Sequence, residues 1–515
     1  MADSMFTVAI DFGTAYSGYC FCVRNCLDNI RSVFWGQELG FGSPKTPTCI
    51  LFDEHEQFQK FGYEAMMTYI RLSKEEAKKY FFFENFKMEL YNKTIHRNLM
   101  IPAASGKTLR ALKVFSESLR YLKDHVLKNI QEHTSGKKFI PSDVTWVLTV
   151  PAIWDAAAKQ FMREAATQAG LVTESNPNQL ILALEPEAAS VWCKQLPREG
   201  FVAEGRSEDT LEQTSGTQYI VVDCGGGTID ITVHEVLEDG FLKELHKASG
   251  GDMGGETVNK KFKSFLTDIF HSPTWDKYVR DHPAELQKMM YEFSVQKSVG
   301  EDKDIYISCP YNLSHLAGEK QDMSSYFCNA EGVFWSDGSI KITYKKLQSF
   351  FAESVGRIVS EIQTIISALE ISIDYILLVG GYASCKYLQK EIRMEFGRRC
   401  RILCPIDANM AVAKGAVLFG HNPKIVASRV SALTYGIAVG ETFDSRKHKM
   451  EKQTVNDKGD YVYCDDIFKR MVQKGQSVKC DEEIVIADDT SGWTKLKRHP
   501  RNAWLRQIDS HFQVV

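Results

Sequence analysis

The chain has 515 residues and a net charge of −4. That length can bury a large core and is expected to divide into more than one domain. The near-neutral charge gives no basic footprint for nucleic acid, and without a run of 18 apolar residues no membrane span is expected. Thirteen cysteines are scattered with no C-x-x-C pair, which argues against zinc and for free thiols in a reducing compartment. The first residues hold no basic run before a long apolar core, so no signal peptide is expected. Phe6 to Ile10 reads as an apolar strand; Asp11, Gly13 and Thr14 follow, and Tyr19 to Val23 starts a second strand. Gly106-Lys107-Thr108 resembles the end of a P-loop, but Ile101 stands where that motif needs its first glycine, so the segment reads as a helix start. Leu109, Leu112, Leu119, Leu122, Val126 and Ile130 recur at helical spacing and predict a core stripe. Asp143 to Pro151 reads as a strand. Asp155 can cap a helix over Ala156 to Ala169, which Gly170 can end. Leu180 to Leu184 is a further apolar run, closed by Glu185-Pro186. Arg198 to Gln218 is polar and reads as a surface loop.

Tyr219 to Val236, YIVVDCGGGTIDITVHEV, repeats the opening pattern of strand, acid, glycine turn and strand. Gly225, Gly226 and Gly227 let the backbone turn sharply and approach a ligand, and their N–H groups can converge on phosphate oxygens. Asp223 and Asp230 flank the turn. Carboxylates beside phosphate need a cation between them, and Mg²⁺ is the usual one. Two such units with matched Asp and Thr positions predict a duplicated fold with phosphates held between the turns; a glycine-rich hairpin without ligand is the alternative. Further on, Lys345 to Leu369 is an amphipathic helix, Tyr375 to Val379 a strand, and Asp407 to Phe419 a helix with Asp407 as N-cap and Gly420 as stop. Beyond it, Thr434 to Val439 and Glu483 to Ala487 read as strands between polar stretches.

DFGTAYSG and VVDCGGGTID resemble the two phosphate motifs of the actin-like ATPase superfamily, and within it most those of the 70-kDa heat-shock protein family. ILLVGG, Ile376 to Gly381, resembles the adenosine motif. The matches keep the family's order over roughly the first four-fifths of the chain. The resemblance implies an α/β fold: a duplicated, ribonuclease-H-like, two-lobed ATPase domain over residues 1–420, with lobes of about 1–190 and 191–420, and a short, mostly β region over 421–515.

The resemblance also implies roles. ATP or ADP would bind with Mg²⁺, held at Asp11, Gly13, Thr14, Ala15, Tyr16, Gly225, Gly226, Gly227, Thr228 and Asp230, with Asp11 and Asp223 in the metal's water shell. Lys87 matches the family's phosphate-contacting lysine, against the alternative of a solvated helix lysine. Glu185 matches a glutamate near the Mg²⁺ and the attacking water, against a plain helix-start carboxylate. Asp223 is the other candidate for orienting that water. Gly254 and Gly255 would bring a helix N-terminus to the phosphates. Lys297 and Glu292 fall near the ribose and adenine contacts, although surface helix charges are the stronger expectation. Gly380, Gly381 and Asp407 complete the adenosine side. The helix Ala156 to Ala169 looks like the connection between lobes, with Lys159 in it.

Two departures stand out. Tyr382-Ala383-Ser384 replaces the family's small hydroxyl residue and adenine-stacking arginine, and Tyr382 could pack on the base instead. The tail is too short for a peptide-binding sandwich and lid, and lacks the acidic, leucine-rich linker and the acidic terminal tetrapeptide. These departures are similar to the heat shock 70 kDa protein 12 group, which implies an atypical ATPase domain, unidentified protein partners, and a place in the cytoplasm or nucleus. Three functions compete: a slow ATPase acting as a nucleotide switch or atypical chaperone, a pseudo-ATPase scaffold, and a metabolite kinase. Glu185-Pro186-Glu187 stands where a kinase needs an Asp to deprotonate its alcohol, which favours water as acceptor.

Overall fold

The computed structural model describes residues 4–24, 26–134, 136–173, 176–202, 210–299, 303–455, 459, 462–480 and 482. The expected strand Glu483 to Ala487 and the chain end lie outside them. The chain divides into two compact units. One holds Met1–Gln213, Thr217–Thr232 and Ala248–Pro423; the other holds Thr214–Gly216, Val233–Lys247 and Lys424–Val515.

In the first unit, β1 (Phe6–Phe12) and β2 (Tyr16–Val23) form the opening hairpin. The helical stripe appears as α1 (Ala111–His133), with Leu119, Leu122, Val126 and Ile130 buried. Next come β3 (Val144–Val150), α2 (Ala156–Gln168), β4 (Leu180–Leu184) and α3 (Glu185–Cys193). The sheet order is β4-β3-β1-β2, extended by Arg31–Ser32, with β3 parallel to both β1 and β4. All seven residues of β1 are buried, as expected of a central strand covered on both faces.

The same plan recurs. β5 (Gln218–Cys224) and β6 (Ile229–Val236) form the second hairpin, followed by β7 (Leu242–Gly251) and the helix α4 (Glu256–Phe270). After the long helix α5 (Tyr344–Leu369) come β8 (Tyr375–Val379), β9 (Arg401–Leu403) and α6 (Ala411–His421). β8 runs parallel to β5 and β9 parallel to β8. β6-β5-β8-β9 thus repeats β2-β1-β3-β4, the duplication the two motifs predict. Between α4 and α5 the chain builds a smaller subdomain of helices and a three-stranded sheet over Ile305–Ser308, Val333–Ser336 and Ser339–Ile342.

Three sequence expectations are corrected here. Gly106-Lys107-Thr108 does not start a helix: Gly106 has φ +83°, at the turn of a hairpin that pairs Met100–Pro102 with Thr108–Arg110. α2 does not link the lobes either. Asp155 caps it as expected, accepting the Ala158 N–H at 2.8 Å, but it packs on α1 within the first lobe, with Phe161 edge-on to Phe115. The crossing pair is α3 and α6. α3 reaches β5, where Ser190 Oγ and Tyr219 OH lie 2.7 Å apart, while α6 lies against α3, β1 and β3. Gly415 in α6 makes this approach possible, since a Cβ there would sit 1.7 Å from the Ala188 carbonyl oxygen. Finally, Asp407 is not an N-cap and Gly420 is not a stop: Met410 occupies the cap, Asp407 pairs with Lys414, and Gly420 lies inside α6 against Val147 and Thr7.

In the second unit, β10 (Val426–Val430) runs parallel to β7 at Leu242 and antiparallel to Ser477–Lys479. Glu244 secures it by accepting the Val430 N–H at 2.7 Å. Tyr435–Thr442, Val462–Val472 and Gln453–Val455 form a separate antiparallel sheet.

Candidate functional site

Asp11 is the last residue but one of β1 and Asp223 the last but one of β5, so both carboxylates stand at the C-terminal ends of central strands, where open α/β sheets bind ligands. Each is followed by a turn only glycine can make. A Cβ on Gly13 would lie 2.2 Å from the Tyr16 oxygen, and one on Gly225 2.8 Å from the Thr228 oxygen. The two turns face each other at close range: a Cβ on Gly226 would meet the Ala15 Cβ at 2.6 Å, and one on Gly227 the Thr14 Oγ1 at 2.6 Å. Beside them lies a cavity of about 370 Å³. It is lined by Asp11, Gly13, Thr14, Ala15, Tyr16, Lys87, Glu185, Asp223, Gly225, Gly226, Gly227, Thr228, Gly255, Lys297, Gly380, Gly381 and Tyr382.

Asp230, Gly254 and Asp407 do not line it. The Asp230 carboxylate accepts the Ile153 N–H at 2.9 Å and so ties the second hairpin to the first lobe. The α4 N-terminus is committed to protein: the N–H groups of Gly254, Gly255 and Glu256 donate to the carbonyls of Gly227, Gly225 and Gly226 at 3.2, 3.1 and 2.8 Å. These bonds brace the glycine turn, and Gly254 is needed because a Cβ would strike the Gly226 oxygen at 2.4 Å. Glu292 also faces away, accepting from Ser308.

The charged groups inside are paired with care. Lys87 sits on a 3-10 turn, Phe86–Leu90, buried rather than solvated. Its ammonium lies 2.6 Å from Glu185 Oε1 and 5.3 Å from the Trp154 ring centre. Burial still pushes the Glu185 carboxyl up to about 7; Lys87 pulls it down, and Asp230 and Asp11 push it up. Asp223 is pushed well above the usual carboxylate range by burial and then by the charges of Glu185, Asp230 and Asp11. Among the described residues no donor reaches the Asp223 carboxylate, and a Cβ on Gly380, at φ +87°, would lie 2.4 Å from its Oδ1. Lys297 donates to the Gly255 carbonyl at 2.9 Å and to Asn259 Oδ1 at 2.6 Å, and burial pushes it down to about 8. The Tyr382 ring lies 6.2 Å from Phe351 in a near-parallel stack, and a Cβ on Gly255 would touch it at 3.5 Å.

Sequence reasoning missed Lys45. Its ammonium lies 2.6 Å from Asp11 Oδ2 inside the cavity, while Asp11 Oδ1 accepts from Thr149 Oγ1 at 3.1 Å. Lys45 belongs to Ser43-Pro44-Lys45-Thr46-Pro47, which reads as an ordinary turn. No local pattern pairs it with an acid 34 positions away.

The donor set fits a divalent cation. Of the four buried carboxylates, Asp11, Glu185 and Asp223 line the cavity beside Lys45, Lys87 and Lys297, and Asp230 does not; burial first, and then the neighbouring carboxylates, pushes Glu185 and Asp223 up. Mg²⁺ is ordinarily held through water and substrate phosphate with only one or two carboxylates, and Asp11 and Asp223 both line the cavity.

A repeated strand–hairpin plan, with facing glycine turns over one acid-lined cavity, defines an actin-like ATPase fold. The comparisons place it further. The profile of Hsp70 proteins matches residues 77–463, and the chain belongs to the Hsp70 family. It is similar to heat shock 70 kDa protein 12A of Mus musculus and of Homo sapiens, 34% identical to each, and to human heat shock 70 kDa protein 12B, 35% identical; the alignments cover 93% of this chain and 77–78% of those proteins. It is accordingly an Hsp70-like nucleotide-binding protein.

Proposed function

We propose that the chain binds Mg·ATP between its lobes, hydrolyses it slowly, and works as a nucleotide-dependent switch or atypical chaperone with protein partners in the cytoplasm or nucleus. The observation that carries this reading is the pair of facing turns with Asp11, Lys87, Glu185 and Asp223 around one cavity. Backbone N–H groups and the Thr14 and Thr228 hydroxyls can take phosphate oxygens. Asp11 and Asp223 would hold the water shell of Mg²⁺, which when bound neutralises charge on the phosphates. Glu185, pushed up to about 7, is poised near neutral pH to take a proton from water. Lys87, now on Glu185, is the cation able to turn toward a transferring phosphoryl group. This is positioning and electrostatics, the usual substance of phosphoryl transfer. Lobe closure, transmitted through α3 and α6, would be the output.

A second reading, ATP binding without turnover, is favoured by one feature: Lys87 and Glu185 already satisfy each other at 2.6 Å, so catalysis must first separate them. Calorimetric ATP binding and phosphate release, measured on wild type, Lys87→Ala and Asp223→Asn, decide between the two. Loss of release in both variants with ATP still bound supports the ATPase. Equal release in all three supports the scaffold.

A further inference from the structure

We propose that Lys45 is a built-in counter-ion at Asp11 that lets the cavity accept a nucleoside di- or triphosphate without a divalent metal. The proposal rests on reading this cavity as the nucleotide site. Both Asp11 oxygens already have a partner: Oδ2 holds the Lys45 ammonium at 2.6 Å and Oδ1 accepts from the Thr149 hydroxyl at 3.1 Å. The Lys45 side chain is only 13% exposed, and it lines the cavity.

The chain is shaped to put it there. Gly18, opposite Asp11 in the hairpin register, leaves the path for its stem; a Cβ there would lie 3.0 Å from Lys45 Cγ and 3.2 Å from the Pro44 oxygen. The flanking residues are fastened to the first phosphate turn. Thr46 and Pro47 pair with Ser17 and Tyr16, the Thr48 N–H donates to the Ala15 carbonyl at 2.8 Å, and the Thr48 hydroxyl donates to the Gly13 carbonyl at 2.8 Å. On the far side Thr46 Oγ1 accepts the Tyr63 N–H at 3.0 Å. The backbone is therefore fixed, while the four methylenes of the side chain allow the ammonium end to reorient.

An ammonium is a compact point charge with three donors. When a polyphosphate enters beside Gly13 and Thr14, it can swing from Asp11 to a phosphate oxygen, or hold both. Either way it cancels repulsion that a metal would otherwise have to cancel. Lys87 does the same for Glu185, so two of the four carboxylates carry a resident cation.

The test is calorimetric titration of the full-length protein with ATP and ADP, in excess EDTA and in excess Mg²⁺. Wild type is expected to bind in EDTA within about tenfold of its affinity in Mg²⁺. Lys45→Met should weaken binding in EDTA by about 10- to 100-fold, the worth of a charge-assisted hydrogen bond. In Mg²⁺, where the metal carries part of that charge, the same variant should lose less than it does in EDTA, so the gap between its two affinities widens, and Lys45→Arg should keep binding in both buffers. Wild-type binding only with Mg²⁺ overturns the proposal and leaves the nucleotide site intact. So does a folded Lys45→Met that binds in EDTA as wild type does. No binding in either buffer overturns both. If Lys45→Met does not fold, Lys45→Gln takes its place in the same titration, with the same loss in EDTA expected and unchanged binding in EDTA overturning the proposal.

Discussion

Gly415→Ala probes the joint on which any coupling between the lobes depends. The new Cβ would lie 1.7 Å from the Ala188 oxygen and 2.4 Å from its carbonyl carbon. Both are backbone atoms of α3, so no rotamer change relieves the clash. Reaching even a 3.0 Å contact means opening α3 from α6 by roughly 1.3 Å, enough to forfeit a quarter to a half of the dispersion energy of facing atoms. Overpacking of this kind costs about 1–3 kcal/mol. The upper end applies because the obstacle is backbone, and about 1 kcal/mol returns through helix propensity. A net loss of about 2 kcal/mol over a unit of some 400 residues lowers Tm by roughly 2–4 °C. Gly356→Ala is the matched control. It is an exposed glycine inside α5 whose Cβ would meet nothing within 4 Å, so it should stabilise by about 0.5–1 kcal/mol. Differential scanning calorimetry of both variants without nucleotide reads the difference. If Gly415→Ala melts at or above wild type, the close crossing of α3 and α6 is wrong.

Three further outcomes follow from the same geometry. Glu185 titrates near 7 when folded and near 4.3 when unfolded; between these values the folded state holds the extra proton. Raising the pH from about 5 to 7 should therefore lower stability, and chemical denaturation across that range should show a shallower slope in Glu185→Gln. Tyr382→Ala removes a ring buried against Phe351 and should cost about 3 kcal/mol or more of stability and weaken ATP binding about tenfold; unchanged affinity in a fluorescence titration would show that the ring does not serve the base. Asp223→Asn should not weaken ATP binding in EDTA, because it keeps neutral a group that burial already holds toward the protonated form, yet it should abolish Mg²⁺-dependent phosphate release. A weaker grip in EDTA would contradict that electrostatic account.

The hairpins and their turns were legible because each is a local object. Strand, acid, glycines and strand lie within some twenty residues, and only backbone conformation and close approach explain the glycines. What lay beyond the sequence was destination. α2 advertises its ends through Asp155 and Gly170, but caps say where a helix stops, not what it touches. α3 and α6 carry no such stripe: Pro186, Ala188, Ala189 and Val191, then Ala411, Ala413, Gly415 and Ala416, are buried on nearly every side. All-round burial with small residues is what a helix between two sheets requires, and that composition was the available signal for the crossing. Gly254 misled for a related reason. A glycine before a helix serves equally for approaching phosphate or for approaching another glycine turn, and only the three hydrogen bonds to Gly225–Gly227 distinguish them.

The charges give the site its order of events. Asp230 is spent on the Ile153 N–H, Glu185 on Lys87 and Asp11 on Lys45 and Thr149. Asp223 alone faces the cavity with no donor among the described residues, and burial holds its carboxyl toward the protonated form. The first lobe thus pairs its carboxylates with cations, while the second brings a carboxyl without a donor among the described residues. A polyphosphate alone adds negative charge, which favours the protonated form of Asp223; a divalent ion arriving with it would favour the ionised form. On this account nucleotide can dock on the first lobe without metal, whereas drawing the second lobe onto the phosphates requires it. Binding and closure would then be separable by chelator, with closure being the step that commits Lys87 and Glu185 to leave each other.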